Sequence, residues 1–252
     1  MTAVAALRLW RRRAVGRRRH RVHQAGQRVR AAAQEIPLER APGRPDNDTG
    51  GVRPSGAGQR WRPAWVKVGR DFVTRRYILT GAPGSGKTSI LQALQRRGYD
   101  VVPEAATTVI TEEQAAGIGR PWEQPEFIDK IVNLQRRRAA DHPGAGIQIF
   151  DRSPVCTLAL SLHLGYQVSA ELSAEIGRTT RQRVYQRRVF FVRDLGFIES
   201  TPVRRISYEE SLKFERVHIE TYQALGFELV YVPKAGVDAR ADLIEPYFAC
   251  WE

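Results

Sequence analysis

The sequence predicts an α/β domain of three layers, in which helices cover both faces of a parallel sheet of about five strands. The first observation behind this fold class is the octapeptide GAPGSGKT at residues 81–88, which follows a β-prone run and precedes a helix-forming run. The second is the alternation of short apolar runs with helical patterns further along the chain, which is typical of parallel strands joined by crossover helices. These patterns predict one folded domain over residues 71–252, preceded by a tail over residues 1–70.

The tail is predicted from its charge. Residues 1–70 contain 17 Lys and Arg against 4 Asp and Glu, whereas residues 71–252 contain 23 of each kind. The whole net charge of +13 therefore lies in the first 70 residues. Such a segment, with a Pro- and Gly-rich stretch at 41–63, cannot bury enough apolar surface to offset the loss of chain entropy. We expect a disordered basic tail, with at most a transient helix over residues 3–33.

Three interpretations of this tail remain open. Its arginines would bind nucleic acid or another anionic surface electrostatically. Its Arg-rich and acid-poor start also has features of a targeting segment. The third interpretation is a mis-assigned start, with translation beginning at a valine such as Val66, Val68 or Val73, since Met1 is the only methionine.

The composition also argues against several classes of protein. No apolar run approaches the ~20 residues that a membrane-spanning helix needs, so we expect no transmembrane segment. The two cysteines, Cys156 and Cys250, fit no metal or redox spacing. We expect both to be reduced and buried in a cytoplasmic protein.

Residues 81–88 fit the phosphate-binding pattern G-x-x-x-x-G-K-[ST]. The loop backbone and the following helix N-terminus are expected to hold phosphate oxygens. Lys87 would reach the β- and γ-phosphates, and the Thr88 hydroxyl would ligate Mg²⁺. GTP-binding proteins recognise guanine through an Asn/Thr-Lys-x-Asp pattern, and the residues around Lys234 do not fit it. The misfit favours ATP over GTP. The expected ligand is ATP with Mg²⁺, and the candidate nucleotide-binding residues of this phosphate loop are Gly81, Ala82, Pro83, Gly84, Ser85, Gly86, Lys87 and Thr88.

The other elements follow from composition and apolar periodicity. Runs rich in β-branched and aromatic residues predict strands, and apolar residues spaced three or four apart predict helices. Pro143 ends one helix, and Ser207 with Glu210 supplies the cap region of another. The predicted strands are 77–80, 99–102, 146–151, 189–192 and 227–232. The predicted helices are 89–95, 104–114, 124–140, 207–225 and 238–248, with a further surface helix that carries Arg178 and Arg181.

Asp151 ends the strand predicted at 146–151 and is expected to face the Mg²⁺ shell beside Thr88. The next residue is Arg152, where motor and remodelling ATPases usually place a Glu that activates water. A guanidinium cannot act as that base, but it can hold a substrate or an acceptor phosphate. The Asp151–Arg152 pair therefore favours kinase-like transfer over hydrolysis.

The polar segment at 195–206 contains Arg204 and Arg205 and precedes a predicted helix. Phosphoryl-transfer enzymes often keep an arginine-bearing lid at such a place, where it excludes water and spreads the developing charge. We expect Arg204 or Arg205 to close on the transferring phosphate as a catalytic group.

From about Arg76 to Pro246 the chain resembles the AAA-type P-loop NTPase domain shared by the ribosylnicotinamide kinase part of the NadR family and its relatives. These proteins in turn resemble deoxynucleoside and thymidylate kinases. The matching residues are GAPGSGKT at 81–88, PEAA at 103–106, FDRSP at 150–154, the arginines at 204–205 and VDAR at 237–240.

The resemblance implies roles for two further residues. In the nucleoside kinases a Glu after the second strand takes the proton of the substrate hydroxyl, and Glu104 matches that position. Arg240 would lie near the adenine. The chain has no recognisable nucleotidyltransferase or DNA-binding domain of the NadR type, so the substrate of that pathway does not transfer with the fold.

We therefore expect a kinase-like phosphotransferase that moves the γ-phosphoryl group of ATP to a small hydroxyl-bearing acceptor, such as a nucleoside. The expected catalytic residues are Lys87, Glu104, Asp151, Arg204 and Arg205. Glu104 and Arg152 would hold the acceptor, and Thr88 and Asp151 would hold Mg²⁺. The alternatives are a nucleotide-dependent regulatory switch or slow ATPase, and an ATPase that binds nucleic acid through residues 1–70.

Overall fold

The computed structural model describes residues 27–36, 74–142, 146–194 and 207–249. The strands are β1 (Arg75–Gly81), β2 (Asp100–Val102), β3 (Ile147–Asp151), β4 (Arg188–Val192) and β5 (Glu228–Val232). Residues 27–35 form helix α1. The later helices are α2 (Lys87–Arg96), α3 (Ala105–Ala115), α4 (Glu126–Asp141), α5 (Pro154–Leu164), α6 (Ala170–Arg181), α7 (Tyr208–Ala224), α8 (Val237–Ile244) and α9 (Pro246–Ala249), with a 3₁₀ turn at Pro121–Glu123.

The five strands form one parallel sheet in the order β2-β3-β1-β4-β5. The central strand is β1, where Ile78 pairs with Phe150 of β3 and with Val189 of β4. Because all strands run the same way, their carboxyl ends meet at one edge of the sheet, where open α/β folds place ligands. The predicted fold class is confirmed.

Two separate cores cover the two faces of the sheet, because successive side chains of a strand point to opposite faces. Ile78 and Phe150 belong to the core under α3 to α7. Tyr77, Leu79 and Ile149 belong to the core under α2, α8 and α9. The domain therefore has the three layers that the sequence predicts.

Two elements differ from the sequence prediction. Helix α5 was not predicted, since it is apolar along nearly its whole length and has no polar stripe to reveal its period. The single helix predicted at 238–248 is two helices, α8 and α9, that meet at Glu245 and Pro246. Pro246 has no backbone N–H and so cannot continue the hydrogen-bond ladder of α8, although Glu245 itself keeps helical dihedral angles.

Residues 27–36, within the segment predicted as a basic tail, contain α1 and pack on the domain. Val29, Ala32 and Ile36 are buried in the same core as α4 and α5. The guanidinium of Arg28 donates hydrogen bonds to the carbonyls of Gly165 (2.9 Å) and Tyr166 (2.8 Å), just beyond the end of α5. The domain boundary at residue 70 stays a prediction, and α1 packs on the core from the N-terminal side of that boundary. The other residues of 1–70 lie outside the described residues.

Cys156 is buried and reduced, as expected, whereas Cys250 lies outside the described residues. No helix within the described ranges is both long and apolar enough to cross a bilayer.

Candidate active site

The candidate site lies at the carboxyl ends of β1 and β3. The phosphate loop at 81–88 connects β1 to α2, and Asp151 and Arg152 leave β3 beside it. The amide of Arg152 donates to the carbonyl of Leu79 in β1 at 3.0 Å, which fixes the two segments against each other. Glu104 follows the end of β2, the next strand outward.

Two loop glycines are required by the backbone. Gly81 has a φ of 143°, and a Cβ there would lie 2.3 Å from the carbonyl oxygen of Val192. Gly86 has a φ of 81° and is the N-cap of α2, and a Cβ there would lie 3.1 Å from the guanidinium of Arg240. Because Gly86 has no side chain to cap α2, the first backbone N–H groups of the helix remain available to an anion.

Lys87 is buried and folds back over the loop. Its Nζ donates to the carbonyls of Gly81 (3.0 Å) and Ala82 (2.8 Å). Burial, together with the positive charge of Arg152, lowers the pKa of Lys87 to about 7, although Asp151 and Glu104 act in the opposite direction. The loop carbonyls thus accept the hydrogen bonds of this ammonium group. In a complex with a nucleotide, phosphate oxygens would accept them instead.

The residues expected to hold Mg²⁺ fit that ion. Asp151 Oδ1 is buried and has no hydrogen-bond partner among the described residues. Burial and the nearby Glu104 raise the pKa of Asp151 to about 6, although Lys87 and Arg152 act in the opposite direction. Thr88 is exposed at the first turn of α2. A hard cation bound through one carboxylate and one hydroxyl, with phosphate oxygens and water completing its shell, is typical of Mg²⁺.

Glu104 and Arg152 form an ion pair with 2.5 Å between Glu104 Oε1 and Arg152 Nε. The other carboxylate oxygen of Glu104 accepts a hydrogen bond from the Thr107 hydroxyl at 2.7 Å. Burial opposes ionisation of Glu104, but the charges of Arg152 and Lys87 outweigh it and lower the pKa of this carboxyl. Glu104 is therefore an ionised carboxylate in the same crevice as Lys87.

A narrow cleft opens beside this ion pair, between the ends of β2 and β3 and helix α4. Two of the residues that line it, Gln135 and Arg138, have polar side chains. Gln135 accepts a hydrogen bond from Thr157, and Arg138 donates one to the carbonyl of Pro103. The cleft is lined by Val102, Pro103, Gln135, Arg138, Phe150, Asp151, Arg152 and Tyr185. It is thus an opening with both polar and apolar walls next to the Glu104–Arg152 pair.

Arg240 lies directly against the phosphate loop. It is 4% exposed, and its guanidinium donates to the carbonyl of Ser85 at 3.0 Å. Its buried Nε has no hydrogen-bond partner among the described residues. Arg240 therefore braces the loop from the α8 side, and contact with an adenine stays a prediction.

Arg204 and Arg205 lie outside the described residues. The lid role expected of them stays a prediction. The described residues on either side of this segment are Asp194 and Ser207. The Tyr208 hydroxyl donates a hydrogen bond to Asp194 at 2.7 Å, and Ser207 forms a capping box with Glu210 at the start of α7.

Sequence reasoning missed the contribution of α7 to the site. His218 is fully buried, and its Nε2 lies 3.2 Å from a guanidinium nitrogen of Arg152. The Tyr222 hydroxyl contacts Ser153 (2.8 Å) and Cys156 (3.0 Å). Glu215, which pairs with Arg193 at 3.4 Å, has a second carboxylate oxygen that is buried without a partner among the described residues. The only available signal was the polar character of residues at core-facing positions of an amphipathic helix.

Comparison with known proteins identifies the family. A family model described as an AAA domain matches residues 76–240. No curated protein sequence matches the chain. Among similar solved structures is deoxyadenosine kinase from M. mycoides with bound dATP, at 15% identity and a TM-score of 0.45, covering 68% of this chain and 98% of that chain. Another is the same kinase with the products dCMP and a flexible dCDP bound, at 13% identity and a TM-score of 0.46, covering 68% and 97%.

The matched region runs from β1 to Arg240 in α8 and includes the phosphate loop, Glu104, Asp151 and Arg152. It confirms the AAA-type resemblance expected for this part of the chain. The chain therefore belongs to the AAA-domain family, and residues 81–88 are its P-loop.

Proposed function

We propose that this domain binds ATP with Mg²⁺ and transfers the γ-phosphoryl group to the hydroxyl of a small acceptor such as a nucleoside. The observation that carries the proposal is the ion pair of Glu104 with Arg152. Arg152 lines the small cleft, and Glu104 lies within electrostatic range of both Lys87 and Asp151. A pair of opposite charges at that place can orient an acceptor hydroxyl toward a bound phosphate.

The P-loop would hold the phosphate chain. Amides at the start of α2 would bind phosphate oxygens, and the ammonium of Lys87 would exchange the carbonyls of Gly81 and Ala82 for them. Thr88 and Asp151 would hold Mg²⁺, which supplies charge neutralisation at the β- and γ-phosphates. Arg240 would keep the loop in its binding conformation through Ser85.

The acceptor would bind against Glu104 and Arg152, at the mouth of the small cleft. The lowered pKa of Glu104 makes this carboxylate a weak base, so it orients the acceptor hydroxyl and takes its proton late, as the bond to phosphorus forms. Such a role fits phosphoryl transfer, since its loose transition state depends more on positioning and charge than on early proton removal. Arg152 would hold an oxygen of the acceptor through guanidinium donors that Glu104 leaves unused.

The position after Asp151 argues against hydrolysis as the main reaction. Arg152 carries a permanent positive charge, so it cannot take a proton from water. The proposal therefore predicts that ATP consumption depends on an acceptor. A regulatory switch or a slow ATPase would instead consume ATP at one rate whether or not small hydroxyl compounds are present.

The experiment is ATP consumption measured against a library of hydroxyl-bearing metabolites that includes nucleosides. Asp151→Asn should abolish any acceptor-dependent consumption. Asp141→Asn is the matched control, because Asp141 is an exposed aspartate at the end of α4. Acceptor-dependent consumption in wild type and in Asp141→Asn, but not in Asp151→Asn, supports the proposal. Consumption that no acceptor changes would overturn it.

A further inference from the structure

Helix α7 buries polar side chains along the face that packs toward the site. Ser211, Glu215, His218 and Tyr222 follow one another at spacings of four, three and four residues, and each is buried. A helix face at that spacing is ordinarily apolar, and polar groups in such places need partners because desolvation is costly. The partners of His218 and Tyr222 are residues that directly follow Asp151 in the chain.

The two hydrogen bonds of His218 fix its chemical state. Its Nδ1 lies 3.1 Å from the carbonyl oxygen of Phe214, which can only accept a hydrogen bond. Its Nε2 lies 3.2 Å from Nη1 of Arg152, which can only donate. Only a neutral imidazole with its proton on Nδ1 satisfies both contacts. Burial and the adjacent Arg152 also lower the pKa of His218 well below its ordinary value.

Arg152 needs support from its surroundings. Its φ is 71°, in the left-handed region, which residues other than glycine seldom adopt. Its guanidinium is held between Glu104 on one side and His218 on the other. Glu104 alone would leave the guanidinium free to turn about that single ion pair, whereas a second contact through Nη1 sets its plane.

We propose that His218 is a positioning residue for phosphoryl transfer: it accepts a hydrogen bond from Arg152 and so fixes the guanidinium plane that Glu104 and the acceptor meet. The role rests on the proposed function. His218 acts through Arg152, while α7 contributes the rigid support. Loss of the imidazole should weaken binding and orientation of the acceptor. It should leave ATP binding intact, because the hydrogen bonds of His218 go to Arg152 and Phe214 and neither belongs to the P-loop.

Two substitutions separate positioning from simple packing. His218→Leu keeps most of the buried volume but removes the acceptor for Arg152. His218→Gln places a carbonyl oxygen near the position of Nε2 and can accept the same hydrogen bond. Thr221→Val is the matched control on the same helix, since Thr221 is equally buried and its hydroxyl bonds only to the carbonyl of Val217 in α7.

The first measurement does not depend on any enzyme activity. Nitrogen-15 NMR of the histidine rings should show the neutral Nδ1–H form for His218, assigned by its absence from His218→Gln. Crystal structures should show the Arg152 guanidinium turned away in His218→Leu and in its original place in His218→Gln. A protonated or Nε2–H imidazole, or an unchanged guanidinium in His218→Leu, would overturn the proposal whatever reaction the protein performs.

The second measurement uses the acceptor found in the ATP consumption screen. His218→Leu should lower kcat/KM for the acceptor by about 10- to 100-fold, as is typical for residues that orient a site group. His218→Gln should recover most of that loss, and Thr221→Val should show none. Calorimetry should give the same ATP affinity for all four proteins. Equal losses in His218→Leu and Thr221→Val would show a packing effect and contradict the proposal. A wild type without acceptor turnover would instead contradict the proposed function, and the NMR and crystal structures would still decide the role of His218.

Discussion

ATP binding should draw a proton onto Lys87, and this uptake can be measured. In the free protein, burial and the charge of Arg152 lower the pKa of Lys87 to about 7. Phosphate oxygens in place of the carbonyls of Gly81 and Ala82 would stabilise the charged ammonium and raise that pKa. At any pH above the free value, binding must therefore be accompanied by protonation of Lys87.

The magnitude follows from the pKa of about 7. At pH 8 about nine-tenths of the Lys87 side chains are neutral in the free protein, so binding should take up about 0.9 proton; at pH 7 it should take up about half a proton. Above pH 7, ATP affinity should fall by up to about tenfold per pH unit, because proton uptake becomes progressively harder. Asp151 should not contribute to the proton uptake measured at pH 8, since its pKa of about 6 leaves it ionised before and after binding.

Isothermal titration calorimetry measures the uptake directly. ATP·Mg²⁺ is titrated at pH 8 in Tris and in HEPES, whose ionisation enthalpies differ. The slope of observed enthalpy against ionisation enthalpy gives the number of protons taken up. Lys87→Met, titrated at higher protein concentration, should lose the slope. An uptake near zero in wild type, or an equal slope in Lys87→Met, would refute the assignment of a buried, half-neutral lysine at the P-loop.

Three further predictions concern stability. In differential scanning calorimetry, Gly81→Ala should have a much lower melting temperature than Gly98→Ala. Both glycines have positive φ, but of the two only Gly81 would place a Cβ against a backbone carbonyl oxygen, at 2.3 Å. Equal melting temperatures would contradict this close approach. Ile36→Ala should lower the free energy of unfolding in urea by about 2–4 kcal/mol, since the side chain is 3% exposed in the core. Arg30→Ala, on the exposed face of α1, should change that free energy little. An Ile36→Ala variant as stable as wild type would mean that α1 does not pack on the core. The free energy of unfolding should fall as pH drops below about 6.5, with a slope of up to about 1.4 kcal/mol per pH unit. The reason is that His218 binds a proton in the unfolded state but stays neutral in the folded state. His218→Gln should show a shallower slope in urea titrations, and an unchanged slope would contradict the burial of a neutral imidazole.

The sequence predicted the sheet and the P-loop well because their signals are local. A glycine loop between a strand and a helix is specified within residues 77–95, and each of the five strands is a short apolar run. The missed helix α5 has no such local signal, since it is buried on most sides and carries no polar stripe. Its length and its start after Ser153 become clear only once the two layers that enclose it are known.

The packing of α1 on the core was not predicted, because charge dominates the sequence pattern around it. The arginines near residues 17–30 predict a solvated segment, and the apolar side chains at 27–36 that contact the core are few: Val29, Ala32, Ala33 and Ile36. Tertiary packing supplies the stability of such a helix, and composition does not report that packing.

The site was predicted as a set of residues, and its pairings were not predicted. Glu104 and Arg152 were both expected to hold the acceptor, but nothing in the chain order indicates that they bind each other. His218 could not be found from sequence, because it lies 66 residues after Arg152 on a helix whose predicted role was to flank a lid. Long-range contacts of this kind depend on the three-dimensional arrangement alone.

Phosphorus-31 NMR of a reaction mixture containing ATP, Mg²⁺ and the preferred nucleoside tests whether the protein is a kinase. The proposed function predicts a new phosphomonoester resonance that grows in step with ADP, with little inorganic phosphate, and neither signal in the presence of Asp151→Asn. Inorganic phosphate growing in step with ADP, with no phosphomonoester, would show that water is the acceptor and would contradict phosphoryl transfer to a nucleoside.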